Sequence, residues 1–241
     1  MTEQYGDWNA NTEGQIIMPF YLLCDVSASM TNEDMQRLND GIRSMHHELL
    51  GEPVVNDLVM MSIITFNHDA RTVVPLAAPE DITLPHLSAG GGTDYGPALR
   101  EFHQSFQADR ARLKREGKRV FRPCVYFLTD GEPNNNSYLQ VFASLITKEN
   151  NDAYPYVCAF GFRDAQPATL QTLAYPDFGD EDRRGRFFIA RQGEKVSDLL
   201  TTMAKALGRS ILQSARSVPS GAPMVAMPQP QGIPGMVGSF V

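Results

Sequence analysis

Two hydrophobic patterns alternate along residues 16–215. Runs of strand length are apolar on both faces, which is typical of strands covered by helices on each side; they are Ile16–Cys24, Leu58–Phe66, Val120–Thr129, Tyr156–Phe162 and the short Phe187–Ala190. The segments between these runs repeat apolar residues every three or four positions, which predicts amphipathic helices. The alternation predicts an α/β fold with a doubly wound, mainly parallel sheet and helices on both faces.

The predicted helices begin and end at typical residues. In the first helix, Thr31 or Asn32 can cap the start, and Gly51 with Pro53 closes the end. The later helices are predicted around Leu99–Leu113, Ser137–Lys148 and Thr169–Leu173, and from Ser197 to Leu212. The run Arg71–Leu76 is interrupted by Pro75, which favours one antiparallel strand at the edge of the sheet.

Three regions follow from these patterns. Residues 1–14 are predicted to be a flexible arm with Trp8 as its anchor, and residues 15–216 the folded domain. The last 25 residues, 217–241, carry no charge but contain five Pro, four Gly and three Met. Such a composition cannot build a core of its own, so we expect this tail to lie outside the domain and to dock apolar residues such as Phe240 on a neighbouring protein.

The charge balance excludes several classes of function. The chain has 21 Lys and Arg against 28 Asp and Glu, a formal net charge of −7, which argues against a general nucleic-acid binder. The N-terminus lacks the basic and apolar regions of a secretory signal, and no apolar run reaches the roughly 18 residues of a membrane span. The three cysteines are far apart in the sequence, which fits a reduced, cytoplasmic location.

Polar side chains follow the predicted strands at the points where they end. Asp25, Ser27 and Ser29 come directly after the first strand, and Asp130 follows the strand at 120–129. The loop Gly90–Asp94, which contains Thr93, opens a helix between them in sequence. Because ligands of an open parallel sheet bind at the carboxyl ends of its strands, we expect these loops to converge. Their ligands are hard oxygen atoms, which favour Mg²⁺, with Mn²⁺ as the close alternative.

These residues resemble the metal-ion-dependent adhesion site (MIDAS) of the von Willebrand factor A (VWA) family. That site consists of Asp-x-Ser-x-Ser, a Thr in a later loop and an Asp after a later strand, and its matches here are Asp25, Ser27, Ser29, Thr93 and Asp130. The resemblance covers about residues 16–215 and implies a VWA, Rossmann-like fold. It also implies that Ser27, Ser29 and Thr93 ligate the metal directly, while Asp25 and Asp130 act largely through water.

The resemblance implies a recognition function without catalysis. A cation held mainly by neutral hydroxyls keeps most of its charge, so an Asp or Glu of a protein partner is its natural sixth ligand. The segments Gly91–Leu99 and Phe127–Pro133 resemble the short cytosolic bacterial VWA proteins related to the TerY tellurite-resistance proteins. Those proteins are associated with a Ser/Thr kinase and a PP2C-type phosphatase, which implies an adaptor in stress response or phosphosignalling.

Other functions stay open on the residues alone. Asp25 with Mg²⁺ would suit a phosphatase or hydrolase that forms an aspartyl intermediate, but Ser27 stands where the haloacid-dehalogenase type has a second Asp. The sequence also lacks a phosphate-binding P-loop and a Gly-x-Ser-x-Gly turn, so we do not expect an enzyme. An assembly subunit that needs no metal is the third possibility.

Further partner contacts are expected at the metal loops and at a basic segment. Gly92, Asp94 and Glu132 lie beside the predicted ligands. Residues 110–122 contain seven basic residues and one acid, and Arg115 and Lys118 are its candidates for docking an acidic or phosphorylated partner. The simpler interpretation of this segment is a solvated helix end, where cations complement the helix dipole.

Overall fold

One sheet of eight strands organises the protein. The computed structural model describes residues 14–221 and 223–241, so Trp8 and most of the predicted N-terminal arm lie outside the described residues. The strands are β1 (Ile16–Asp25), β2 (Val59–Phe66), β3 (Ala70–Ala77), β4 (Arg119–Val120), β5 (Cys124–Thr129), β6 (Tyr156–Gly161), β7 (Arg186–Ala190) and β8 (Met236–Phe240). Their order in the sheet is β3-β2-β1-β5-β6-β7-β8, and β4 pairs with β1.

In the described part of the chain, six α-helices lie against this sheet. They are α1 (Asn32–Leu50), α2 (Pro53–Leu58), α3 (Tyr95–Arg115), α4 (Ser137–Leu145), α5 (Pro167–Leu173) and α6 (Val196–Ser217). Thr31 caps the start of α1: its side chain accepts a hydrogen bond from the backbone N–H of Asp34, and the Asp34 carboxylate accepts one from the Thr31 N–H. Among the described residues, no helix is both long and apolar enough to cross a membrane.

The strand order confirms a mainly parallel, doubly wound sheet. β1 pairs in parallel with both β2 and β5, and β5, β6 and β7 continue the parallel pairing on the other side. The chain therefore builds outward from β1 in one direction and then in the other. The strand order reverses between β1 and β5, so the carboxyl ends of these two strands form the crevice where such sheets bind ligands.

Successive side chains of the central strands enter two separate cores. In β1, Phe20, Leu22 and Cys24 pack in the core shared with α1 and α6, while Tyr21 and Leu23 pack in the core shared with α3 and α4. This arrangement follows from the two-residue period of a strand. It also explains why the central strands β1, β5 and β6 are apolar on both faces, because helices cover both faces of the sheet there.

Several element boundaries differ from the sequence-based expectation. The run predicted as one strand, 120–129, is two strands, because the segment with Pro123 separates β4 from β5. Helix α4 ends at Leu145 and not at Lys148, and α2 follows directly after the predicted stop at Pro53, which occupies its first turn. The predicted antiparallel edge is confirmed at β3, which pairs with β2.

The C-terminal tail is the main correction. The prediction that 217–241 lies outside the domain is wrong in this structure: Met236–Phe240 forms β8, which pairs antiparallel with β7 and makes a second antiparallel edge. Val225, Met227, Ile233 and Met236 are buried in the core that contains α6. The absence of charge therefore reflects burial against the domain. The Pro and Gly residues allow the chain to turn as it crosses the surface of the domain.

A buried arginine fastens this tail. Arg186 of β7 is 1% exposed, and its Nη1 donates hydrogen bonds to the carbonyl oxygens of Met227 and Pro228. The centre of the Phe240 ring lies 5.0 Å from the guanidinium carbon of Arg186. A buried guanidinium needs hydrogen-bond acceptors from the protein, because water does not reach it. The tail supplies these acceptors to Arg186. Phe240, predicted to contact a partner protein, instead contacts its own domain.

Adjacent positions of β8 test this placement. Met236 is 3% exposed and Val237 is 52% exposed. Met236→Ala should lower the free energy of unfolding by about 2 kcal/mol or more, because it removes buried apolar contacts, whereas Val237→Ala should change it by less than about 0.5 kcal/mol. Urea unfolding of both variants measures the difference. Equal stability of the two variants would contradict a tail that packs in the core.

Candidate metal centre

The predicted metal residues lie where the strand order reverses. Asp25 is the last residue of β1, and Asp130 follows Thr129, the last residue of β5. These parallel neighbours bring the two carboxylates to the same edge of the sheet. Both residues are almost completely buried, Asp25 at 2% and Asp130 at 1% exposure.

Asp25 is held by hydrogen bonds to both of its carboxylate oxygens. Its Oδ1 accepts from the backbone N–H of Ser27 at 2.8 Å, and its Oδ2 accepts from the Thr129 hydroxyl at 2.7 Å. Burial raises the pKa of the Asp25 carboxyl, and the hydrogen bonds from Ser27 and Thr129 oppose that shift. The carboxylate thus joins the ends of β1 and β5 in a fixed orientation.

Two serine hydroxyls meet the second carboxylate. The Oγ atoms of Ser27 and Ser29 are 2.9 Å apart, and Ser29 Oγ donates to Asp130 Oδ1 at 2.8 Å. Ser27 Oγ lies 3.4 Å from the same oxygen. Ser27 is buried while Ser29 is exposed, so the cluster extends from the interior of the sheet edge to the surface.

The loop that carries Thr93 is attached to its neighbours through the backbone. Gly90 N–H donates to the carbonyl of Val26, and Ala28 N–H donates to the carbonyl of Gly91. Gly91 has φ +83°, and a Cβ there would approach His68 Nδ1 to 2.4 Å, so this position requires glycine. The carbonyl of Thr93 itself accepts from the N–H of Asn134, which follows β5. Backbone contacts thus bring all three predicted loops together.

The structure brings four of the five predicted ligands into one hydrogen-bonded cluster. Thr93 lies in the adjoining loop and is 8% exposed, but its hydroxyl makes no hydrogen bond to the cluster among the described residues. Gly92 is exposed beside it. Asp94 is the N-cap of α3, since its Oδ1 accepts from the Gly96 N–H, and its Oδ2 accepts from the Asn135 side chain.

The other predicted partner contacts lie elsewhere. Glu132 turns towards α5, where its two oxygens accept from the Gln166 N–H and the Thr169 hydroxyl. Arg115 ends α3, whose first residue is beside the metal loops, and a helix of that length spans about 30 Å. Lys118 follows it and donates to the side chain of Gln15. The basic segment and the candidate metal centre are therefore at opposite ends of the domain.

Arg163 is a residue of this site that the sequence analysis missed. Its Nη1 donates to Asp130 Oδ2 at 3.0 Å, and its Nη2 donates to Asp34 of α1. Burial acts to raise the pKa of the Asp34 carboxyl, but the hydrogen bonds from Arg163 and Thr31 hold it below its ordinary value. No motif in the sequence identifies Arg163, because it follows β6, a strand that carries no predicted ligand.

The geometry of the cluster fits a small divalent cation. Adjacent ligands of an octahedral Mg²⁺, each about 2.1 Å from the ion, lie about 3 Å apart. The separations of 2.9 Å between the two hydroxyls and 2.8 Å between Ser29 and Asp130 match that spacing. Among the described residues no group of three or more His, Cys, Asp and Glu is arranged to hold a metal.

The sequence model of the von Willebrand factor type A domain matches residues 20–202. The chain belongs to the VWA family. The match covers the carboxyl ends of both strands at the candidate centre and all five predicted ligands, so the expected family and fold are confirmed. No curated protein sequence is significantly similar to the chain.

Solved VWA structures share the fold at low sequence identity. Proximal thread matrix protein 1 from the mussel byssus is 17% identical with a TM-score of 0.55, and the match covers 83% of this chain and 49% of that chain. A von Willebrand factor type A protein from Catenulispora acidiphila is 16% identical, with a TM-score of 0.54 and coverages of 82% and 43%. The chain therefore spans about half the length of these proteins.

A further structure of the mussel protein has zinc in its MIDAS motif. It is 16% identical to this chain with a TM-score of 0.51, and the match covers 83% of this chain and 49% of that chain. A VWA fold of this kind can therefore hold a divalent metal at that motif.

Thr129 offers a test of how the site is built. Thr129→Val removes the donor to the buried oxygen of Asp25 but keeps the shape of the side chain, so we expect a loss of about 1–3 kcal/mol in unfolding free energy. Thr129→Ser keeps the hydroxyl and should lose much less. Urea unfolding at neutral pH without added metal measures both variants. Equal losses would show that the hydroxyl does not support Asp25.

Proposed function

We propose that the protein is a non-enzymatic, Mg²⁺-dependent interaction module that binds an acidic residue of a protein partner. The observation that supports this proposal most directly is the cluster of Ser27, Ser29 and Asp130, whose spacings suit adjacent ligands of Mg²⁺. Mn²⁺ has similar ligand preferences and would serve as a substitute.

The kind of ligand determines what a bound ion would do. Neutral hydroxyls do not cancel the charge of a divalent cation. The Asp25 carboxylate is already used by hydrogen bonds within the protein, and the Asp130 carboxylate is paired with Arg163. The bound ion would therefore attract an external carboxylate. Ser29 is exposed, so a partner residue can reach this position from solvent.

The surface beside the centre can accept more of a partner than one carboxylate. A cleft of about 390 Å³ is lined by Val26 and Gly90 of the metal loops and by residues 65–71 of the β2–β3 connection. It contains the exposed side chains of His68, Asp69 and Arg71. Such polar surroundings would give specificity to the contact, while the metal would supply most of its strength.

The position of Asp25 argues against the phosphatase or hydrolase alternative. A nucleophilic carboxylate needs a free oxygen directed at its substrate. Asp25 is 2% exposed, and each of its oxygens accepts a hydrogen bond from the protein. We therefore assign Asp25 to the support of the metal loops and not to covalent catalysis.

We also propose that the partner belongs to a bacterial signalling or stress-response system in the cytoplasm, such as a Ser/Thr kinase or a PP2C-type phosphatase. This proposal is supported by the resemblance of Gly91–Leu99 and Phe127–Pro133 to TerY-related proteins. A metal-independent assembly subunit is the alternative, and it predicts that partner binding survives a chelator.

Metal binding and carboxylate binding can be measured without knowing the partner. Mg²⁺ titrated by calorimetry should bind wild type and lose at least about tenfold in affinity in Ser29→Ala, which removes a ligand without changing charge. Ser220→Ala changes an exposed serine outside the centre and is the matched control. Indistinguishable heats from wild type, Ser29→Ala and Asp130→Ala would refute the metal assignment.

Binding of an external carboxylate to the metal-loaded centre can be measured separately. Mn²⁺ bound to the protein enhances water proton relaxation, and this enhancement should fall when acetate replaces a bound water. Acetamide has the same shape but no charge and should have little effect. An equal response to acetate and acetamide would contradict selective binding of an acidic group.

Hydrolysis of p-nitrophenyl phosphate tests the enzyme alternative. We expect no turnover by wild type above the buffer rate with Mg²⁺ present, because Asp25 has no free oxygen for attack. Turnover that disappears in Asp25→Asn would overturn the non-enzymatic proposal.

A further inference from the structure

Arg163 links the carboxylate of Asp130, at the candidate centre, to the carboxylate of Asp34 in the first turn of α1. Its guanidinium forms ion pairs with Asp130, whose side chain is 0% exposed, and with Asp34, whose side chain is 5% exposed. The Arg163 side chain itself is 28% exposed. The cation therefore lies between the buried acids and the surface that a partner would approach.

The backbone fixes Arg163 at this position. Its φ is +46°, the one positive value at a non-glycine residue in the described part of the chain. The residues on each side are bonded to the end of β5, since Phe162 N–H donates to the Thr129 carbonyl and Asp164 N–H donates to the Asp130 carbonyl. An unfavourable conformation is thus maintained by two contacts with the very segment that carries Asp130.

The charges of the site show what this cation changes. Asp25, Asp34 and Asp130 together carry three negative charges, and Mg²⁺ alone would leave the loaded site negative. With Arg163 the loaded site is neutral. A negative site would bind the metal more tightly but would repel a carboxylate, whereas a neutral site accepts one more readily, because charges in a buried cluster are weakly screened.

We propose that Arg163 is a specificity residue that weakens the hold of the centre on its metal and strengthens the binding of an acidic partner residue to the loaded centre. Its role differs from that of the metal ligands, because it shifts the two affinities in opposite directions. This inference rests on the proposed function, since it requires that the centre binds both a divalent cation and a carboxylate.

Variants of Arg163 and Asp34 change the charge in opposite senses. Arg163→Gln should bind Mg²⁺ about tenfold more tightly in calorimetry and bind acetate, measured by Mn²⁺ relaxation, at least about threefold more weakly. Asp34→Asn keeps an acceptor for the Thr31 cap and removes a negative charge, so both affinities should shift the other way. Arg163→Lys retains the charge and should stay within about threefold of wild type in both measurements.

Arg209→Gln is the matched control, since it removes the same charge from an exposed position on α6 and should change neither affinity. If Arg163→Gln weakens both metal and acetate binding, Arg163 only positions Asp130 and the inference is overturned. If wild type binds Mg²⁺ and acetate but the Arg163 and Asp34 variants do not shift in opposite directions, the inference fails while the proposed function stands. If wild type binds no metal, the proposed function itself fails.

Discussion

The carboxylate of Asp25 is the contact on which the arrangement of the site depends. It ends β1, is almost fully buried, and accepts hydrogen bonds from Ser27 on its own loop and from Thr129 on the neighbouring strand. A buried carboxylate without such donors would be costly, so the ends of β1 and β5 must stay together in the folded protein. This requirement holds at the single place where the strand order reverses, and the loops that carry Ser29 and Asp130 start from it.

The remaining loop joins the site through backbone hydrogen bonds rather than through side chains. Gly90 and Gly91 exchange hydrogen bonds with Val26 and Ala28, and the Thr93 carbonyl is bonded to Asn134. Such contacts fix the position of the loop through the backbone, whatever its side chains are. Loops that are fixed in this way lose less entropy when a ligand binds to them.

The fold class and the cluster of metal residues could be predicted from the sequence because both depend on local patterns. Strands apolar on both faces require helices on both sides, and the polar residues of the motif directly follow such strands. Arg163 could not be predicted, because its role depends on the pairing of β6 with β5 and on the approach of α1. Charge alone makes Arg115 and Lys118 candidates for docking a partner, and only the length and direction of α3 show that they lie at the other end of the domain from the candidate centre.

The tail shows how composition can be interpreted in two opposite ways. A segment without charge and with many Pro and Gly residues is typical of a linker, but the same lack of charge is needed where a segment crosses a buried surface. Here β8 forms only because β7, almost fifty residues earlier, offers an edge, and because the buried guanidinium of Arg186 needs the carbonyls of Met227 and Pro228. Neither partner is visible in the local pattern of 217–241.

The four apolar side chains of the tail that enter the core are spaced irregularly, at 225, 227, 233 and 236, so no helical or strand period in the sequence predicts their burial. The buried guanidinium of Arg186, which donates to the Met227 and Pro228 carbonyls, is thus the structural reason that this segment packs on the domain.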